Sequence, residues 1–276
     1  MITTFAKFPQ GWTSFSRATE MRFPAGECHI QTDRVMDGET PLYLYLTGTD
    51  ANDYVTAGMW IDYAHQAGHK VTALIPYLPG ARQDRGNPFG AKVYANLINA
   101  MEADEVVCFD PHSETMPALV NNLRVVHSDA VIKKVLRKHL AGYAGIICPD
   151  AGARERTENT AATLGLPVYY ATKHRDFTTG RLSRFECEEL PADGRFLVVD
   201  DICDGGGTFR GLAEATGLPK ERLDLWVSHG VFSGNAAALN EHFGNIFTTD
   251  SHPGAVNPSV GANVSPLIHH LLEGTK

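Results

Sequence analysis

The sequence predicts an α/β protein of two similar domains, each a mostly parallel sheet flanked by helices. Three observations carry this. Short apolar runs alternate with helical patterns along the chain, which is the rhythm of βαβ units. Several runs end in acidic, polar or glycine-rich loops, and open parallel sheets bind ligands at those carboxyl ends. The two halves repeat the pattern on either side of a linker near residues 120–129.

The elements follow in order. Leu42–Leu46 reads as a strand, and Tyr54–Gly68 as a helix that Gly68 ends. Val71–Pro76 is a strand. Ala91–Met101 is a helix with Val93, Leu97, Ile98 and Met101 on one face. Val106–Asp110 is a strand, and Ala130–Leu140 is a helix that aligns Val131, Val135, Leu136 and Leu140. Ile146–Pro149 and Val168–Ala171 are strands separated by a helix, and Phe196–Val199 and Leu225–Ser228 complete the set. Asn263–Leu272 is expected to form a short amphipathic helix that packs back on the first half. The expected divisions are residues 1–128, residues 129–254 and a closing segment, 255–276.

Composition narrows the function. The 276 residues suffice for one large core or two modest ones, and 43% hydrophobic with 20% charged residues is ordinary for a globular protein. A formal net charge of −8 disfavours nucleic-acid binding, which needs a basic footprint, while local basic clusters still permit anionic substrates. No apolar run is long enough to span a bilayer, so no membrane partner is expected. Met1–Lys7 lacks the charged-then-apolar form of a signal peptide. Cys28, Cys108, Cys148, Cys187 and Cys203 show no C-x-x-C spacing, which points to thiols in a reducing, cytoplasmic setting.

The most specific motif is Phe196–Thr208. An apolar run meets Asp200 and Asp201, then Asp204, Gly205, Gly206, Gly207 and Thr208 lead into a helical pattern. Backbone amides of such a loop cradle phosphate at a helix N-terminus, and neighbouring carboxylates hold sugar hydroxyls or a metal. The P-loop lysine is missing, so a sugar phosphate fits better than a nucleoside triphosphate. A tight turn with capping aspartates does not account for three acids, three glycines and a threonine together.

Four weaker clusters follow strands. Arg82 and Gln83, in Pro79–Arg85, can grip polyphosphate and a base edge; the plain alternative is a solvated basic loop. Asp110 and His112 can bind a divalent cation, though a histidine in local hydrogen bonding is the better reading of that pair alone. Asp150, in Pro149–Ala153, either shares the metal or merely caps a helix start. Lys173 and Arg175 precede a polar stretch, Asp176–Arg184; they either close over a reacting polyphosphate as a mobile loop or belong to an exposed hairpin.

Jointly these residues resemble the ribose-phosphate diphosphokinases (PRPP synthetases), from about Arg22 to Gly254. Pro76–Arg85 is similar to the family's ATP loop, Phe109–His112 to its metal-and-ATP histidine motif, and Pro149–Gly152 to its diphosphate loop. Lys173 and Arg175 match its catalytic cations, Asp200–Thr208 its ribose 5-phosphate loop, and Ser228–Gly234 a following segment. The resemblance implies two type I phosphoribosyltransferase-like domains. It implies transfer of the β,γ-diphosphate of MgATP to the anomeric hydroxyl of ribose 5-phosphate. Phe23, Glu27, Arg82, Gln83 and His112 would hold ATP, the first two often from a neighbouring subunit. His112, Asp150 and Asp110 would serve Mg²⁺. Asp200 and Asp201 would hold ribose hydroxyls, and Asp204 to Thr208 the 5-phosphate. A homo-oligomer, dimer or hexamer, is expected.

The chain departs from the pattern in three places. The segment before Phe23 is short, without the family's first helix. The stretch after Arg85 is shortened and lacks a basic Ser-Arg pattern, which puts allosteric control in doubt. Gly205 stands where the family often has threonine, which opens space at the 5-phosphate and admits ADP-ribose as an alternative acceptor, used in NAD rebuilding. A phosphoribosyltransferase is a second alternative, opposed by the ATP-type motifs. A catalytically dead regulatory homologue is a third, opposed by the retained Lys173, Arg175 and His112.

Overall fold

The computed structural model describes residues 2–8, 11–14, 18–32, 38–175 and 182–273. The chain divides into two units, Met1–Val126 with Ile268–Lys276, and His127–Leu267.

The first unit begins with β1 (Ile2–Phe8), β2 (Gly11–Ser14), β3 (Ala18–Arg22) and β4 (Cys28–Thr32), then β5 (Leu42–Leu46) and α1 (Ala51–Gln66). β6 (Val71–Ile75), α2 (Gly90–Asn99), β7 (Glu105–Phe109), α3 (Thr115–Leu119) and β8 (Leu123–Val126) follow. The sheet runs β2-β1-β5-β6-β7-β8. Its β5 to β8 ladders are parallel, while β1 pairs antiparallel with β2 and β5. β3 and β4 form a separate antiparallel ribbon.

β5 carries the unbroken apolar run typical of a parallel strand covered on both faces, and Leu42, Leu44 and Leu46 are buried with Trp60 and Ile61 of α1. The sequence placed the start of α1 at Tyr54; it lies at Ala51. Asp50 accepts from the Asn52 amide at 2.8 Å, and Asp53 accepts from the Asp50 amide at 3.0 Å, a reciprocal cap. The face expected for α2 is also corrected. Ala91, Ala95 and Ile98 are buried, whereas Val93 is 68% exposed. The segment 120–129, expected as a linker, contains β8.

The second unit begins with α4 (Asp129–Leu136), β9 (Tyr143–Cys148), α5 (Arg154–Leu164), β10 (Val168–Arg175) and β11 (Leu182–Cys187). β12 (Arg195–Cys203), α6 (Gly207–Thr216), β13 (Leu223–Gly230), β14 (Asn245–Thr249) and β15 (Asn263–Ser265) complete it. Its sheet runs β11-β10-β9-β12-β13-β14-β15, parallel except for β11. Chain order reverses between β9, which leads to β10 on one side, and β12, which leads to β13 on the other. A crevice opens at such a switch point, at the carboxyl ends of the two strands.

The closing segment is not one helix. Asn263–Ser265 is β15, and only α7 (Ile268–Leu272) is helical, as part of the first unit. There Arg124 Nη2 of β8 donates to the Leu271 carbonyl at 3.0 Å, and Leu271 and Leu272 are buried. Among the described residues, no helix is long and apolar enough to cross a membrane.

Candidate functional site

In the first unit the loops after β6 and β7 meet. Gly80 has φ +70°, and a side chain there would strike the Tyr94 ring of α2. Gln83 donates its amide to the Gly80 carbonyl at 2.8 Å and accepts from the Ala91 amide at 3.1 Å. Its side chain lies on Gly90, where any Cβ would displace it. The Arg82–Gln83 loop is therefore strapped to the start of α2. Asp84 accepts hydrogen bonds from Ser113 and from Arg85 Nε, the latter at 3.2 Å. Burial works against its negative charge, but these two donors and the charges of Arg85 and His112 hold its carboxyl below the usual aspartate range. The Asp84 carboxylate thus joins the Arg82–Arg85 loop to the Asp110–Ser113 loop, a role that the motif reading missed.

Asp110 is 4% exposed and sits at φ +40°, a left-handed conformation that aspartate tolerates better than most residues. Its amide donates to the Val126 carbonyl at 2.9 Å, so the turn that presents His112 is anchored to the end of β8. Phe23 and Glu27 lie on the β3–β4 turn, where the Phe23 amide donates to the Glu27 carbonyl at 2.8 Å. Phe23 is 47% exposed, and its ring lies 5.6 Å from that of His29.

In the second unit the acid pair is not in a loop. β12 continues through Asp200 and Asp201 to Cys203, with Asp200 opposite Val227 of β13. The Asp200 carboxylate accepts from the Asp201 amide at 2.9 Å. Arg156, in the first turn of α5, puts Nη1 at 3.8 Å from Asp200 Oδ1 and 3.7 Å from Asp201 Oδ1. Burial, with the charge of Asp201 added to it, pushes the Asp200 carboxyl well above its ordinary range, and Arg156 opposes the shift.

Past the strand, Asp204 accepts a hydrogen bond from the Ser233 hydroxyl. Gly206 has φ +74° and stands at the start of α6, whose N-terminus has no side-chain cap. Helix N-termini of this kind favour anions. The Ser228–Gly234 segment backs this loop: the Val231 and Phe232 amides both donate to the Cys203 carbonyl, at 2.9 and 3.0 Å. His229 is buried, with Nδ1 2.8 Å from Ser251 Oγ. Ser251 Oγ donates to the Ser228 carbonyl at 3.1 Å, which makes the His229 Nδ1 the donor of that pair. His252 accepts from the Gly254 amide at 3.0 Å. Burial, then the charge of His229, lower its pKa, with Asp204 opposing.

Asp150 does cap the turn after β9. Its Oδ1 accepts from the Gly152 and Ala153 amides at 2.9 and 3.3 Å, and Oδ2 lies outside those bonds. Lys173 and Arg175 lie within β10, opposite Phe185 and Leu182 of the antiparallel β11, instead of in a loop after the strand. The stretch expected to be mobile falls partly on residues 176–181, outside the described residues. Among the described residues no three histidine, cysteine or acidic side chains converge as a metal cage. Carboxylate oxygens such as those of Asp110, in the first unit, and Asp150, in the second, are the kind of donor that Mg²⁺ takes, whereas a ring nitrogen such as that of His112 is not.

These features define a two-unit phosphoribosyltransferase-like α/β protein whose sheets carry polar, acidic and glycine-containing loops at their carboxyl ends. A phosphoribosylpyrophosphate synthetase of Mycobacterium smegmatis has the same fold, with a TM-score of 0.76 at 20% identity over 93% of this chain and 88% of that one. The sequence profile for the N-terminal domain of ribose phosphate pyrophosphokinase matches residues 12–101. The ribose-phosphate pyrophosphokinase of Vibrio cholerae is 30% identical over 258 residues, 87% of this chain and 80% of that protein. That of Brucella melitensis is 28% identical over 272 residues, 92% and 84% of the two chains. The chain belongs to the ribose-phosphate pyrophosphokinase family.

Proposed function

We propose that this chain transfers the β,γ-diphosphate of ATP to the anomeric hydroxyl of ribose 5-phosphate, releasing AMP. The observation that carries the reading is the end of β12, where a buried acid pair adjoins a glycine turn and an uncapped helix N-terminus. That order of groups suits a sugar phosphate: carboxylates accept from ribose hydroxyls, and the amides of Gly207 and Thr208 take the 5-phosphate. Arg82, Gln83 and His112 would hold ATP in the first unit. The exposed ring of Phe23, with Glu27, would hold adenine in a dimeric or hexameric assembly. The five cysteines are free thiols, which supports a reducing, cytoplasmic setting.

Diphosphate transfer needs alignment and charge neutralisation more than covalent help. Asp200 and Asp201 would fix the ribose by its hydroxyls, with the anomeric hydroxyl as the attacking group. Lys173 and Arg175 would neutralise charge that grows on the transferred oxygens. Asp110 and His112 in the first unit, and Asp150 in the second, are the residues that the resemblance gives to Mg²⁺, which supplies further charge neutralisation on ATP when bound.

The curated relatives, named for ribose phosphate, favour the small acceptor over ADP-ribose and favour synthesis over phosphoribosyl transfer. Incubation with MgATP and either ribose 5-phosphate or ADP-ribose, read by mass spectrometry, tests the proposal. Ribose 5-phosphate is expected to gain the diphosphate. Turnover of ADP-ribose with ribose 5-phosphate untouched would overturn the reading.

A further inference from the structure

Arg156 belongs to none of the motifs that define the site. It occupies the first turn of α5, where a cation meets the positive end of the helix dipole at a cost in stability. Its neighbour Arg154 faces outward, pairing with Glu158 at 3.3 Å and stacking over Tyr170 at 4.7 Å. Arg156 faces inward, and its side chain is 12% exposed. One guanidinium nitrogen stands almost midway between the Asp200 and Asp201 oxygens, at 3.8 and 3.7 Å, and those side chains are 15% and 5% exposed. Two largely buried carboxylates thus share one guanidinium, whose charge offsets part of their repulsion. α5 also begins at the Asp150–Ala153 turn, so one short helix joins the β9 loop to the acids on β12.

We propose that Arg156 is a positioning residue for the acceptor: it shifts the Asp200–Asp201 pair toward its charged form against burial and aims both carboxylates at the sugar hydroxyls, and thereby sets acceptor affinity more than the rate of diphosphate transfer. This rests on the proposed binding of ribose by the acid pair. Cys148 of β9 and Cys203 of β12 are buried thiols held neutral, the latter with its pKa pushed up to about 12. Val227 of β13, opposite Asp200, is apolar.

The test compares Arg156→Gln and Arg156→Lys with the wild type. Removal of the cation raises the carboxyl pKa of the pair, so the Gln variant binds acceptor worst at low pH and recovers as pH rises. The expected result at neutral pH is a rise of about tenfold in KM for ribose 5-phosphate, the equivalent of one pKa unit. That KM should fall between about pH 6 and pH 9, while KM for ATP and kcat change no more than about threefold. Arg156→Lys, which keeps the charge without the planar fork, should show the same shift at smaller size; it keeps the test open if the Gln variant does not fold. An unchanged KM for ribose 5-phosphate, or a pH-independent rise matched by ATP, would overturn the proposal. Carbon NMR titration of the aspartate carboxyls separates the two claims. If the wild type does not use ribose 5-phosphate, the reading of function fails, yet a higher titration point in Arg156→Gln still upholds the charge role and an unmoved one refutes it.

Discussion

Gly205, Gly206 and Gly207 look alike in the sequence, but only the middle one needs to be glycine. Gly206 sits at φ +74°, and a Cβ there would press on Leu239 at 3.0 Å, whereas a Cβ on Gly205 would find nothing nearer than the Ser233 carbonyl at 4.0 Å. Gly206→Ala should therefore cost about 1–3 kcal/mol in urea unfolding, and Gly205→Thr should stay within about 0.5 kcal/mol of the wild type. Equal losses in both would contradict this division. Lys173→Ala should lower kcat by about 10²–10³ while ATP affinity stays within a few-fold, because its charge serves the transition state. Rapid-quench turnover beside ATP-binding calorimetry checks it; a large loss of ATP affinity at unchanged kcat would reassign the residue. The order of acids, glycines and threonine was readable at this scale, since residue types alone carry it. Arg156 was not, because nothing in the spacing of Asp150 and Arg156 says which way a first-turn side chain faces. The cap made by Asp150 was one of the two roles its residues offered, and the structure shows it.

Among the elements, buried parallel strands were legible as apolar runs, and their ends were not. β12 runs on through Asp200 and Asp201 because ladder bonds with β13 extend to Cys203, paired with Gly230, although the apolar run stops at Val199. β10 runs on through Lys173 for the same kind of reason, since β11 pairs with its polar half. α1 shows the converse, a helix that starts ahead of its apolar face because Asp50 and Asp53 cap it. The far end of α1 is fixed by another carboxylate. Asp104 accepts from the Val71 amide at 2.7 Å and lies 3.0 Å from His65 Nε2. Burial opposes its charge, but the Val71 amide and His65 together lower its pKa below the ordinary value. A depressed carboxyl stabilises the fold above its unfolded pKa, near 3.9, and loses that contribution as pH falls through the folded value. The Tm deficit of Asp104→Ala should thus be full at neutral pH and shrink in acid. A deficit that grows on acidification would reverse the sign of this assignment.

At the scale of the whole molecule, the alternation of runs was enough for an α/β fold of two repeated halves. It was not enough for β1 to β4, or for β8 inside the expected linker. The return of α7 to the first unit depends on pairings such as Arg124 with the Leu271 carbonyl, which join residues far apart in sequence. The functional reading rests on groups in each unit by itself, the strapped Arg82–Gln83 loop in the first and the acid pair with its glycine turn in the second. Its central claim is that two phosphorus atoms leave ATP together. Phosphorus NMR of the chain with MgATP and ribose 5-phosphate tests this most directly. The prediction is AMP and a sugar diphosphate in equal amounts, with both the β- and γ-phosphorus of ATP on the sugar. ADP beside a singly phosphorylated product, or AMP beside free diphosphate and unchanged ribose 5-phosphate, would contradict it.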